Sequence, residues 1–426
     1  MLKIAKYIVK YRVVILVLAV LLLIPCSLGY LKTRINYDIL SYLPNTLETV
    51  SGQDTMVEEF GMGAFSMVVV EDMPKKDVAQ LEKDLEDIDH VADVLWYDDA
   101  LDISIPEEML PSDLRKAFFN GDATMMVALF DDTTSADSTM DAIEEMRKVV
   151  KKDVYISGMS AVVTDIKEIV ESEMFIYVAI AVILTLLILL CIMDSFATPV
   201  IFLLNIGMAV VYNMGSNFFL DDVSYLTQAL AAIMQLACTM DYSIFLLDSY
   251  REYKVKYNND KERSMAHAVA NTFTAVSASS LTTVAGFAAL LAMTFKLGAN
   301  IGIVMMKGVV IGVLSTVIVL PGLILMCDRL IEKTTHKPLL GNMSKVSGFI
   351  VKHRYVALLL FGIIMVPAIY GGSHYKVYYN IAKSLPSDLP SAVANDQLDE
   401  KFNMSTMHIV LLKGDMSVKN KNKLMD

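Results

Sequence analysis

Seven stretches of the chain are apolar for long enough to cross a bilayer: residues 13–30, 174–193, 199–219, 225–247, 272–295, 301–327 and 355–373. Each approximates the run of about 20 residues that a spanning helix needs. Between the first and second runs the pattern changes to short strands and amphipathic helices. SMVVVE at 66–71 predicts a strand. Pro74 then opens a helix over 75–90, with Val78, Leu81, Leu85 and Ile88 on one face. Strands are predicted at 91–97, 124–130 and 154–157. The last two are separated by a helix over 135–152 that carries Met140, Ile143, Met146, Val149 and Val150. The order is β-α-β-β-α-β, the split βαβ or ferredoxin-like arrangement. Residues 40–63 read as helix or loop and 101–121 as a short helical excursion. The expected fold is a polytopic α-helical membrane protein carrying an extracytoplasmic α+β domain.

Charge divides the chain in the same place. Residues 31–173 hold 32 acidic and 12 basic side chains, and the rest holds 16 acidic and 24 basic. The acidic part reads as a solvated surface. The basic residues cluster in the linkers at 251–264 and 328–354. Counting sides from a cytoplasmic N-terminus places both linkers in the cytoplasm and the acidic domain outside, as the positive-inside rule requires. Lys3, Lys6, Lys10 and Arg12 precede the first run, which reads as an uncleaved spanning helix rather than a leader. Cys26, Cys191, Cys238 and Cys327 all lie in apolar runs and read as small buried side chains. There is no metal-ligand spacing, phosphate-cradling loop or nucleophile elbow, so no cofactor, no catalytic constellation and no nucleic-acid partner are expected.

The start of the chain reappears 342 residues later. Ile8, Lys10 and Arg12 meet Ile350, Lys352 and Arg354; Pro25 and Gly29 meet Pro367 and Gly371; Tyr37 and Pro44 meet Tyr379 and Pro386; Phe60 and Met62 meet Phe402 and Met404. Six spans separate the copies, so both begin on the same side, a plan known in secondary transporters. The expected organisation is a first span (1–30), a soluble domain (31–173), a bundle of spans two to six (174–327), a linker (328–354), a seventh span (355–373) and the start of a second soluble domain (374–426) with a strand at 407–412. On this reading the sequence is an N-terminal fragment, and the C-terminal half of the same protein is a partner.

The chemistry centres on the fourth run. Asp241 lies deep inside it beside Tyr242, with Gln228 two heptads and Gln235 one heptad before the tyrosine. An ionisable group inside a spanning helix marks a functional site by default, commonly a proton pathway. Tyr242 can donate to a carboxylate or accept from a neighbour. Ser279, Thr282 and Thr283 on the fifth span are candidates to hydrogen-bond Asp241, with Ser280 beside them. Gln228 and Gln235 read as hydrogen-bonding glue between helices, and Gly308 and Gly312 as a close-packing G-x-x-x-G pair. Lys307 sits toward the outer end of the sixth run, where snorkelling is the ordinary behaviour and pairing within a relay the alternative.

These features resemble the resistance-nodulation-division superfamily, and within it the branch called mycobacterial membrane protein large, MMPL. The fourth span is similar to that branch in Asp241-Tyr242, Phe245-Leu246 and Tyr250-Arg251-Glu252. It departs from it at Ala237, Cys238 and Thr239, where glycines are common, and at Ser249, where arginine is. SASSLTTVAGFAALL from Ser277 and Leu320-Pro321-Gly322-Leu323 also look like the family, and spans two to six resemble a sterol-sensing domain. The resemblance implies a porter domain outside the cytoplasmic membrane and export of lipids or other hydrophobic compounds driven by proton flow. It implies a relay formed by Asp241 and Tyr242, with Gln235, Ser279, Thr282, Thr283 and Lys307 as support. The partners implied are protons, membrane lipids and a hydrophobic substrate, with homo-oligomer formation left open. The family's second Asp-Tyr pair, on a tenth span 342 residues beyond Asp241, falls after Asp426. A lipid-sensing or scaffold protein that binds lipid without pumping is the alternative.

Overall fold

The computed structural model describes residues 1–38, 40–99, 109–150, 153–337, 339, 344–375 and 385–404. The strand expected at 407–412 lies outside the described residues. The chain forms two units, Met1–Asn36 with Glu171–Tyr379, and Tyr37–Val170 with Asn380–Asp426.

Along the chain come α1 (Leu2–Lys10), α2 (Arg12–Lys32), the two-residue strand β1 (Ile35–Asn36) and α3 (Glu48–Phe60). The soluble unit continues with β2 (Ala64–Glu71), α4 (Lys75–Glu86), β3 (Val91–Leu95), α5 (Ser112–Phe118), β4 (Phe119–Asn120), β5 (Ala123–Phe130), α6 (Asp137–Val149) and β6 (Val154–Ser157). Then follow α7 (Met159–Ile192), α8 (Ala197–Gly215), β7 (Val223–Ser224), α9 (Tyr225–Lys256), α10 (Lys261–Ala289), α11 (Lys296–Leu314), α12 (Leu320–Lys333), α13 (Ser344–Lys352), α14 (Arg354–His374) and α15 (Pro390–Phe402).

In the soluble unit the sheet order is β3-β5-β2-β6, antiparallel throughout, with β4 beside β5. One face packs Val68, Val70, Met126 and Phe130 against Val78, Leu81 and Leu85 of α4 and Ile143 and Met146 of α6. Both helices are shorter than the periodicity predicts. The predicted helix over 75–90 ends at Glu86, and the one over 135–152 spans Asp137–Val149. The other face places Met67, Val69 and Met125 against Leu398 of α15. Asn395 accepts from the Ser157 hydroxyl at 2.8 Å. The Ser391 amide donates to Asp165 at 2.8 Å, and Arg147 pairs with the same carboxylate at 2.6 Å.

Among the described residues seven helices are long and apolar enough to cross a membrane: Arg12–Lys32, Met159–Ile192, Ala197–Phe219, Tyr225–Lys256, Lys261–Ala292, Lys296–Lys333 and Arg354–His374. The expected basic linker at 251–264 is instead almost all helix. α9 runs on to Lys256 and α10 starts at Lys261, leaving a tight turn in which Asn258 and Asn259 take φ of 50° and 65°. The charged residues there are drawn onto the helices because Asp328 of α12, almost fully buried, accepts from Lys254 at 3.1 Å, Lys261 at 2.5 Å and the Tyr250 hydroxyl at 3.0 Å. Between α11 and α12 the helix widens to a π-turn over Ser315–Val319. Pro321 follows it; a proline has no N–H to offer the preceding turn, and its ring crowds the carbonyl four residues back. β1 pairs in parallel with β7, Ile35 opposite Val223.

The repeat is also visible in the elements. α1, α2 and α3 recur as α13, α14 and α15 with the same lengths and the same 342-residue offset at every start and end. Gly61 and Asn403 close α3 and α15 with the same left-handed cap, at φ of 65° and 53°. Glycine and asparagine are the residues that tolerate that conformation best.

Candidate functional site

α9 is the centre of the bundle and packs against α8, α10 and α11. Its inner face repeats a polar side chain every seven residues: Gln228, Gln235, Tyr242 and Ser249, all buried. Each finds a partner on a neighbouring helix. Gln228 donates to the Tyr30 hydroxyl of α2 at 3.0 Å. Gln235 accepts from Asn213 of α8 at 3.0 Å. Tyr242 meets the Thr283 hydroxyl of α10. Ser249 accepts from Asn271 of α10 at 3.3 Å.

Asp241 is not on that face. At 100° per residue, the thirteen steps from Gln228 bring it roughly 140° round the helix. It is exposed there with Ala237, Phe245 and Asp248. The sequence suggested a carboxylate enclosed among helices; the structure places it on the surface of the bundle formed by the described residues, where it accepts no hydrogen bond.

The expected supporting residues fall into two groups. Ser279 and Thr282 are exposed on α10, and Thr282 gives its hydroxyl to the Ser279 carbonyl at 2.7 Å rather than to Asp241. Thr283 donates to the same carbonyl at 3.3 Å and is the link to Tyr242. Gln235 and Lys307 lie in the second group. Lys307 donates to the Asn213 carbonyl at 2.9 Å and to Asn217 Oδ1 at 2.6 Å. It therefore caps the C-terminal end of α8, where the helix dipole favours a cation.

Asn205, Asn213 and Asn217 were not singled out by sequence reasoning, although three amides in one apolar run are the signal that finds them. Asn205 accepts from the Ser315 hydroxyl of the π-turn at 2.8 Å, so amides of α8 tie both α9 and the π-turn. In the soluble unit, Glu82 of α4 is only 5% exposed. Burial, with Asp98, Asp99 and Glu86 close by, pushes its carboxyl up to about 8. Among the described residues no group of His, Cys, Asp or Glu is arranged to hold a metal.

A family model of MMPL proteins matches residues 55–343, a stretch that contains the inner face of α9, Asp241, Lys307 and most of the soluble unit. The chain belongs to the MMPL family. Among MMPL relatives, the "Probable transport protein MmpL12" of Mycobacterium tuberculosis is 22% identical over 84% of this chain and 31% of its own length. The "Siderophore exporter MmpL5" of the same organism is 24% identical over 66% of this chain and 31% of its own. MJ1562 of Methanocaldococcus jannaschii, named a membrane protein, is 26% identical over 57% of this chain and 62% of its own. This MMPL chain spans about a third of the length of the two mycobacterial relatives. With its apolar helices it is a multi-pass membrane protein.

Proposed function

We propose that the protein is part of an exporter of lipids or other hydrophobic compounds, driven by the proton gradient across a cytoplasmic membrane. Asp241 carries the proton, and Tyr242, next to it in the chain, is its partner in the relay. The observation that carries this reading is a carboxylate without a hydrogen-bond partner in the middle of a spanning helix, next in sequence to a buried tyrosine. One proton crossing the membrane releases about 2.3 kcal/mol per 100 mV. MMPL membership and the transport and exporter names of the relatives support the reading.

In this reading the soluble unit is the porter domain, its β2-α4-β3-β5-α6-β6 order being the ferredoxin-like one, and it lies outside the cell membrane with the N-terminus inside. The protein moves its substrate without making or breaking a bond in it, so it is not an enzyme. Asp241→Asn in the intact protein, reconstituted into liposomes, abolishes proton uptake and export; uptake at the wild-type rate would end the proposal.

One observation favours the second reading, a lipid-binding scaffold. α8 and α12 border an apolar groove of about 390 Å³, lined by Phe196, Val200, Leu204, Cys327 and Leu330. Lipid binding that persists while collapse of the proton gradient leaves substrate distribution unchanged would decide for the scaffold.

A further inference from the structure

The helices α8, α9 and α11, with the π-turn, meet along a seam in which polar atoms are buried without partners. They are Thr227 Oγ1, Gln228 Oε1 and Gln235 Nε2 of α9, Asn205 Nδ2 and Asn213 Oδ1 of α8, and Thr316 Oγ1 of the π-turn. All six residues are at least nine-tenths buried, with Asn205, Asn213, Thr227 and Thr316 at 0% exposure. An orphaned polar group is costly when nothing satisfies it, and a buried water satisfies about three such groups. The central pair shows the geometry best. Asn213 and Gln235 share one hydrogen bond, at 3.0 Å, and leave an acceptor on one amide and a donor on the other. A water that accepts from Gln235 Nε2 and donates to Asn213 Oδ1 completes both.

The glycines of α11 keep this seam open to polar atoms. A Cβ at Gly308 would stand 2.6 Å from Asn213 Nδ2, and one at Gly312 would stand 2.5 Å from Thr239 Oγ1. Their spacing reads as a device for bringing helix backbones together. In the structure they instead make room for an amide and a hydroxyl from neighbouring helices. The titratable groups at the seam are Lys307, which fixes the Asn213 carbonyl, Tyr242, and from α2 Tyr30 and Cys26.

We propose that this seam holds a chain of ordered waters and is the route by which protons reach Tyr242, and through it Asp241, from the Gln228 end of the bundle. The proposal rests on Asp241 being the proton carrier. Gln228, Gln235 and Tyr242 are seven residues apart in turn, roughly 10 Å along the axis at each step, a gap that a few waters bridge. Thr239 places a hydroxyl midway in the second step. The exposed face carrying Asp241 is then the exit of the path rather than its whole extent.

The test uses the intact protein with Cys26, Cys191, Cys238 and Cys327 replaced by alanine. Gln235→Cys reacts with the water-soluble probe 2-aminoethyl methanethiosulfonate, while Leu204→Cys, on an exposed apolar position of α8, reacts far more slowly. In proteoliposomes containing a pH dye, Gln235→Leu and Asn213→Leu slow proton uptake about tenfold. Should Gln235→Leu fail to assemble, the labelled Gln235→Cys protein carries the rate measurement. An unreactive cysteine at 235 overturns the proposal. So do wild-type rates in both leucine variants alongside a dead Asp241→Asn, an outcome that leaves the relay standing. Wild-type uptake by Asp241→Asn, or no uptake by the native protein, removes the relay and this route with it.

Discussion

Asp241 and Tyr242 are neighbours in the chain and belong to different surfaces of the same helix. A single residue step turns the side chain by about 100°, which is enough to separate a tyrosine in the core from a carboxylate on the exterior. The adjacent pair therefore connects an interior polar stripe to an outward face. Gly312 shows how tightly the interior is specified. Gly312→Ala pushes a methyl group into the Thr239 hydroxyl, and the expected outcome is a loss of about 1–3 kcal/mol, read as a lower Tm in detergent. Glu82 makes the pH dependence of the soluble unit predictable. Its carboxyl is raised from 4.5 to about 8 in the folded state, so its contribution is complete below about 4.5. That contribution is lost as pH rises through about 8. The soluble unit is expected to melt at a lower temperature at pH 9 than at pH 5, and Glu82→Gln is expected to flatten that difference.

At the scale of elements, the periodicity located each spanning helix but not its ends. α9 and α10 extend past their apolar windows because Lys254 and Lys261 have a buried carboxylate, Asp328, to reach. Composition cannot reveal that partner, which lies more than sixty residues away in the chain. α15 is a second case. Its sequence looks like a modest surface helix, yet Leu398 covers the side of the sheet opposite α4 and α6. Leu398→Ala is expected to cost about 2–5 kcal/mol in the docking of α15. Hydrogen exchange would show it as lost protection over Pro390–Phe402, with α4 and α6 unchanged. Neither the π-turn at Ser315–Val319 nor its bond to Asn205 was read from the sequence.

For the whole molecule, the division into an apolar bundle and an acidic soluble unit gives a direct spectroscopic handle. The chain has one tryptophan. Trp96 is 2% exposed in the soluble core and donates to Thr124 at 2.9 Å. Tryptophan fluorescence therefore follows the soluble unit alone, whereas far-UV circular dichroism is dominated by the helices of the bundle. Two non-coincident unfolding transitions are expected from the two probes; one shared transition would show that the units unfold together.

The sequence by itself determined the seven apolar helices, the repeat with its 342-residue offset, the order of strands and helices in the acidic part, and the presence of a carboxylate in mid-span. These are properties of local periodicity and of self-similarity, and both can be read along one dimension. Only the tertiary structure decided which way Asp241 faces, that Lys307 caps α8, and that Asn213 and Gln235 meet across a seam kept open by Gly308 and Gly312. Those outcomes depend on helix rotation and on partners distant in the chain, and hydrophobicity along the sequence carries no record of either.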